Sequence, residues 1–315
     1  MSDFLGYAHP GYAFSLREFG EPRELPRCGG WILVRPIPGT PLKDAMGCYP
    51  LFACRDWTRL HEDLEQVGSD LVSLVLVTDP FCGLTQSDLE HCFDLVKPFK
   101  THYVADLSFP TQCIAGKQQR YDARRALREM NVEICTAPAR YLDDWMRLYN
   151  HLIARHGIKG ISTFSRKCFE MQLNLPGMLM LLGRRDEEII AAQLLLISND
   201  VAYGHLSAFT EKGYEIGASH GIHWTVLGYC GQRGIHYFDV GGTPGIRENP
   251  RDGLAKFKAG WSNDRRIVYL CGHIFDREKY DSLPREHRVT DSDFFPAYRG
   301  NTSITGSARG QTEIE

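Results

Sequence analysis

The sequence has no apolar run near the roughly 18 to 20 residues that a bilayer-spanning helix needs. Its N-terminus (MSDFLGYAHPGYAF) has no basic segment followed by an apolar core, so no secretory leader is expected and the expected location is cytoplasmic. An excess of one charge is also missing. Lys+Arg total 36 and Asp+Glu 39, a formal charge of −3, which excludes a global polycation for coating nucleic acid but not a local basic patch. Ten cysteines are present, none in a CxxC pair, so free and mostly buried thiols are expected, not a disulfide framework or a zinc site. No sustained heptad pattern exists, which excludes a long coiled-coil arm. What is there is ordinary globular composition, 43% hydrophobic and 24% charged, over 315 residues, enough for two domains.

Residues 1–30 read as irregular. Strand signals follow at Trp31–Arg35 and Tyr49–Cys54, and Asp56 is a plausible cap for a helix ending near Val67. Leu71–Val77 (LVSLVLV) reads as a strand buried on both faces, Ser87 opens a helix, and His102–Leu107 is a further strand. The alternation predicts an α/β half. A basic helix over Lys117–Met130 comes next, with Arg120, Arg124 and Arg128 on one face at i, i+4 and i+8.

The second half is more regular. Leu142–His156 is an amphipathic helix stopped by Gly157, and a shorter helix starts near Ser165. Strands are predicted at Met178–Leu182, Ile189–Ser198 and Val201–Phe209. A glycine-containing loop (Gly213, Gly217) leads into a helix over Ala218–Arg233. Ile235–Val240 is a strand ending in Gly241-Gly242, Gly253–Gly260 a short helix, and Ile267–Cys271 a last strand. The expected organisation is residues 1–115 as a first α/β domain, 116–137 as a basic bridge, 138–290 as a second domain, and 300–315 as a small, polar, flexible tail.

The order helix, helix, three antiparallel strands, loop, helix, strand, helix, strand resembles the GNAT acyltransferase fold. The stretch His236-Tyr237-Phe238-Asp239-Val240-Gly241-Gly242, followed by Gly253-Leu254-Ala255-Lys256-Phe257-Lys258, resembles the signature of Fem-type (FemAB-like) aminoacyl transferases. The segment Arg120–Glu129 (RYDARRALRE) is similar to the Arg-rich helix that precedes the second domain in related acyltransferases of polysaccharide and lipid pathways. The likeness covers residues 100–275. It implies an α/β, GNAT-like fold in two tandem GNAT-like domains, the C-terminal one more regular, with the fourth and fifth strands splayed around an acyl donor.

The implied activity is N-acyl transfer, an acyl or aminoacyl group passing to the amine of a small molecule or peptide. Lys258 would stabilise the oxyanion, Asp239 would orient Lys258 or the amine, and His205 would act as general base. Tyr203, His205 and Ser207 alternate along one strand face. Gly241 and Gly242 would let backbone approach the substrate, while Gly217 and Ala218 open a helix whose N-terminus binds anions. Arg247 and Arg251 lie in the loop where the acceptor would be read, Phe257 sits in the motif helix, and Arg120 and Arg124 would bind phosphates, including those of tRNA. No metal and no permanently bound cofactor is implied, the acyl donor being a co-substrate. Tyr214-Glu215-Ile216-Gly217-Ala218-Ser219 departs from the loop of CoA-using members, because Glu215 brings a negative charge to the diphosphate position. That favours aminoacyl-tRNA or a carrier-protein thioester over CoA, with acyl-CoA as the alternative donor and a catalytically degenerate binding protein as a second alternative.

Overall fold

A computed structural model describes residues 5–243, 253–283 and 295–302. Eleven strands, β1 (Glu21–Leu25), β2 (Gly30–Pro36), β3 (Lys43–Gly47), β4 (Ser73–Val77), β5 (Leu95–Asp106), β6 (Asn131–Cys135), β7 (Met178–Arg185), β8 (Glu188–Ser198), β9 (Val201–Phe209), β10 (Tyr237–Gly241) and β11 (Asp264–Ile274), form one sheet. Their order is β1-β2-β3-β4-β11-β5-β10-β9-β8-β7-β6. The helices are α1 (Pro10–Ser15), α2 (Leu60–Val67), α3 (Gln86–Glu90), α4 (Thr111–Ile114), α5 (Lys117–Glu129), α6 (Leu142–His156), α7 (Arg166–Gln172), α8 (Glu211–Glu215), α9 (Ala218–Gln232), α10 (Gly253–Gly260) and α11 (Arg277–Ser282).

The order contains an internal repeat. In the first half β1, β2 and β3 are antiparallel and β3 runs parallel to β4 through α2; in the second β6 to β9 are antiparallel and β9 runs parallel to β10 through α9. Each half then lends a strand to the other: β11 pairs with β4, and β5 with β10. These are two tandem GNAT-like halves, and the second is the more regular, with β8 and β9 running 11 and 9 residues. The segment between the expected domains contains α5, which packs on α9.

The helical periods carry over closely: α6 spans Leu142–His156 and stops at Gly157 in the left-handed conformation. The first half differs more from the sequence reading. Residues 1–30 contain α1 and β1, and β1 (EPREL) escapes a strand pattern because Pro22 lies on the sheet edge, where no outward N–H is needed. β3 (KDAMG) lies ahead of the predicted Tyr49–Cys54 strand. Asp44 is tolerated inside it because Arg35 and Arg299 both pair with its carboxylate. Within Tyr49–Cys54 only Phe52 bridges to a strand neighbour, Thr78. β5 starts seven residues before the predicted His102, with Pro98 taken up where the register to β11 shifts.

One face of the sheet carries a core running across both halves, from Leu33, Met46 and Val75 to Met180 and Leu194, covered by α1, α6 and α7. The other face of the second half is covered by α5 and α9 over Leu181, Leu195 and Phe238. The alternation of Phe238 and Val240 towards α9 turns Asp239 to the α6 side.

Candidate active site

β9 and β10 pair over three positions only, the last being Asp239 opposite Tyr203. Beyond it the strands part, and a cavity of about 360 Å³ opens on the α6 side of the sheet, lined by Gly204–Leu206 from β9 and Gly241–Thr243 from the end of β10. Asp239 is buried at 3% exposure. Its Oδ1 accepts the Gly241 N–H at 2.8 Å and its Oδ2 lies 2.8 Å from His102 Nδ1. Gly241 has φ +86°, which favours glycine, and a β-carbon there would stand 3.2 Å from Lys258 Nζ and press on it. Lys258, half-buried on α10, donates to Gly242 O at 2.6 Å. The other edge of the His102 ring faces Gly242, where a β-carbon would begin 3.2 Å from Cδ2 and 3.4 Å from Nε2. Lys258, Asp239, His102 and the two glycines therefore meet in one wall of the cavity.

His102 is the residue sequence reasoning missed. It stands 137 positions from Asp239, on the strand the first half lends to the second. The only sequence signal was a histidine at the start of a strand pattern.

His205 also lines the cavity, but the general-base expectation is corrected. Gln172 Nε2 donates to Ser15 Oγ and Cys168 Sγ, which leaves Gln172 Oε1 to accept from His205 Nε2–H at 3.1 Å. His205 Nδ1 then accepts the Tyr7 hydroxyl at 3.1 Å. Both nitrogens are occupied, and burial drives the ring's pKa down to about 3. Tyr203 marks the vertex of the splay, its hydroxyl donating to Asp79 Oδ2 at 2.8 Å. Ser207 does not share the face of Tyr203 and His205. The β8–β9 register slips at His205, and Ser207 pairs opposite Gln193 on the α9 side.

Gly217, at φ +68°, and the buried Ala218 open α9 on the face opposite the cavity. Phe257 packs there too, its ring 4.9 Å from those of His220 and His223, so it does not line the cavity. Arg125 on α5, absent from the sequence reading, reaches the α9 N-terminus, its Nη2 3.8 Å from the position of a Gly217 β-carbon. Gln193 Oε1 is buried beside this face with no hydrogen-bond partner among the described residues. Arg120 and Arg124 keep their charge but are tied to backbone carbonyls. Arg120 Nη1 donates to the carbonyls of Gln112 and Ala115, and Arg124 Nε to Arg120 O at 3.1 Å. Arg247 and Arg251 lie outside the described residues, as do residues 303–315 of the expected tail. Burial pushes the Cys230 thiol up to about 12, which makes it a poor nucleophile.

Three buried groups set an acid response. His205 and His223 each have a pKa lowered by burial to about 3. Below about pH 6.5 the unfolded chain takes up protons that the folded chain refuses, so this stability is present above pH 6.5 and is lost towards pH 3. At pH 5 the loss is about 2 kcal/mol per histidine. Asp79 acts in the opposite sense: burial raises its pKa to about 6, so the folded carboxyl protonates first and gains about 1 kcal/mol at pH 5. The expected net change for the three groups from pH 7 to 5 is a loss of about 3 kcal/mol. Urea midpoints at the two pH values check this, and a higher midpoint at pH 5 would contradict it.

A parallel strand pair that splays over a cavity, with a helix N-terminus behind it and a lysine and carboxylate at the strand end, defines an acyltransferase-type α/β protein. Residues 116–258 match the family model for an acetyltransferase (GNAT) domain. That segment is a GNAT acyltransferase-type domain, and the fold of the chain as a whole is Fem-like. Its structure is similar to that of FemX, at 13% identity and a TM-score of 0.64 over 89% of this chain and 94% of that one. It is also similar to the C-terminal domain assigned to a lysylphosphatidylglycerol synthetase from Agrobacterium fabrum (16% identity, TM-score 0.60, 85% and 88% covered). A third similar structure is L-PGS from Bacillus licheniformis (14%, 0.58, 85% and 92%). No curated protein matches the sequence. Among the described residues no helix is long and apolar enough to cross a membrane.

Proposed function

We propose that the chain transfers an acyl group, in the first instance an aminoacyl group from aminoacyl-tRNA, to the amine of a small molecule or peptide. The observation that carries this is the convergence of Lys258, His102 and Asp239 at the point where β9 and β10 separate. The donor's phosphate-bearing part lies at the α9 N-terminus beside Arg125, and its acyl end passes between the splayed strands to the cavity. The neutral amine attacks the acyl carbonyl. His102 Nε2 takes the amine proton, with Asp239 holding Nδ1–H and so fixing the tautomer. Lys258 stabilises the tetrahedral oxyanion, which collapses as the donor's oxygen or sulfur leaves with the proton from His102. No covalent enzyme intermediate is needed.

The names FemX and lysylphosphatidylglycerol synthetase support the aminoacyl donor. Arg125 suits any phosphate-bearing donor and keeps acyl-CoA as the second reading. Glu215, exposed at the end of α8 and two residues ahead of Gly217, repels a diphosphate there. Free CoA is expected to bind with Kd above about 100 μM, and Glu215→Gln to tighten it. Calorimetry checks this, and tight CoA binding by the parent protein would put acyl-CoA first. The transfer itself is tested by mass spectrometry of acceptor amines incubated with charged tRNA or acyl-CoA: amide products from either donor support it, and their absence with both contradicts it.

A further inference from the structure

The cavity's wall also bears on the group being transferred. Four tyrosines line it, and each hydroxyl has at least one partner in the protein. Tyr7 pairs with His205 Nδ1, Tyr203 with Asp79, Tyr49 accepts from Ser162 Oγ, and Tyr149 donates to Ser162 O while accepting the Phe164 N–H. Tyr7, Tyr149 and Tyr203 have spent their O–H donors, so what they offer a ligand is chiefly ring surface. Between them lie Leu51, Val77, Leu152, Ile158 and Leu206. The charged residues of the lining, Lys100, His102, Asp239 and Lys258, come from β5, β10 and α10, whereas the four tyrosines come from the α1 side, the segment after β3, α6 and β9; Phe99 of β5 adds a ring on the charged side. The cavity thus has a polar reaction wall and an apolar remainder.

Its size discriminates further. At ~30 Å³ for each water-sized volume, about 360 Å³ holds roughly a dozen non-hydrogen atoms. An acetyl group has three and would leave most of the apolar wall in contact with trapped water. A side chain ending in an ammonium group would meet two like charges, Lys100 and Lys258, against one carboxylate, Asp239, which already accepts from Gly241 N–H and pairs with His102.

We infer that the transferred group is large and apolar, an aromatic aminoacyl or a medium-chain fatty acyl group of about eight to twelve non-hydrogen atoms. This rests on the transfer reading for the direction of the chemistry, while the binding preference is measurable without turnover. The probes are amides that lack any carrier: N-acetylphenylalaninamide, decanamide, acetamide and N-acetyllysinamide, titrated into the intact chain by calorimetry. At least one large apolar amide is expected to bind about ten-fold or more tightly than acetamide and the lysine amide. A tighter phenylalanine amide assigns the amino-acid source and a tighter decanamide the fatty-acyl source. Ile158→Trp, in the half-buried segment after α6, should fill the cavity and abolish the preference, and Leu152→Trp supplies a second filling variant if the first fails to fold. Equal or tighter binding of acetamide or the lysine amide would overturn the inference, as would a preference that survives in a folded filling variant. Preferential binding without amide product from any donor would leave this inference standing and remove the transfer reading. Products carrying only acetyl or lysyl groups would do the reverse.

Discussion

Lys258→Met is expected to lower kcat by about 10² to 10³ and to leave KM close to its parent value. The Nζ is fixed by its bond to Gly242 O at the strand end, beside Gly241, and methionine keeps the length of the side chain while removing the charge. The lost interaction is one made with the developing oxyanion, not with the ground-state carbonyl, so the effect belongs in kcat. Lys258→Arg should not rescue fully, because a planar, branched guanidinium replaces the compact ammonium held on Gly242 O. Steady-state kinetics of the folded Met variant provides the check, and an unchanged kcat would remove Lys258 from the mechanism.

The second large effect is expected at His102. His102→Gln keeps a polar side chain in the cavity wall but removes the proton acceptor, with an expected loss of about 10² to 10⁴ in kcat. Asp239→Asn acts through His102: the carboxylate that accepts Nδ1–H at 2.8 Å becomes an amide, and the tautomer that leaves Nε2 open is no longer enforced. Asp239 is thus a positioning residue. Its variant should lose kcat at neutral pH and add little further loss on the His102→Gln background, since two residues acting as one unit are not additive. His205→Gln in the same assay should cost stability more than kcat, because His205 is tied to Tyr7 and Gln172. A larger kcat effect at His205 than at His102 would return the base to β9.

Much of the second half was legible because its signals are local. The period of α6, the Gly157 stop, the glycine ahead of α9 and the sequence from Phe238 to Gly242 each depend on neighbours within a few residues. Lys258, Asp239 and the two glycines stand in the two stretches that carry the Fem-type resemblance. His102 was not legible, because its partnership with Asp239 exists only once β5 crosses from the first half into the second. Ser207 was placed on the wrong face by strict alternation, which a one-residue register slip at His205 defeats. For Arg120 and Arg124 the sequence cannot show the carbonyls of Gln112, Ala115 and Arg120 that orient their side chains. In the first half, β1 carries a proline and β3 an aspartate whose partners are distant, so neither reads as a strand.

The most direct test of the central claim is a single-turnover comparison of the parent chain and His102→Gln. Each is incubated with phenylalanyl-tRNA or decanoyl-CoA and a mixture of primary amines, with products read by mass spectrometry. The account predicts amide products from at least one donor with the parent chain and a loss of at least about 10² in rate with the variant. Amide formed at the same rate by both proteins, or by neither although both bind donor, would contradict it.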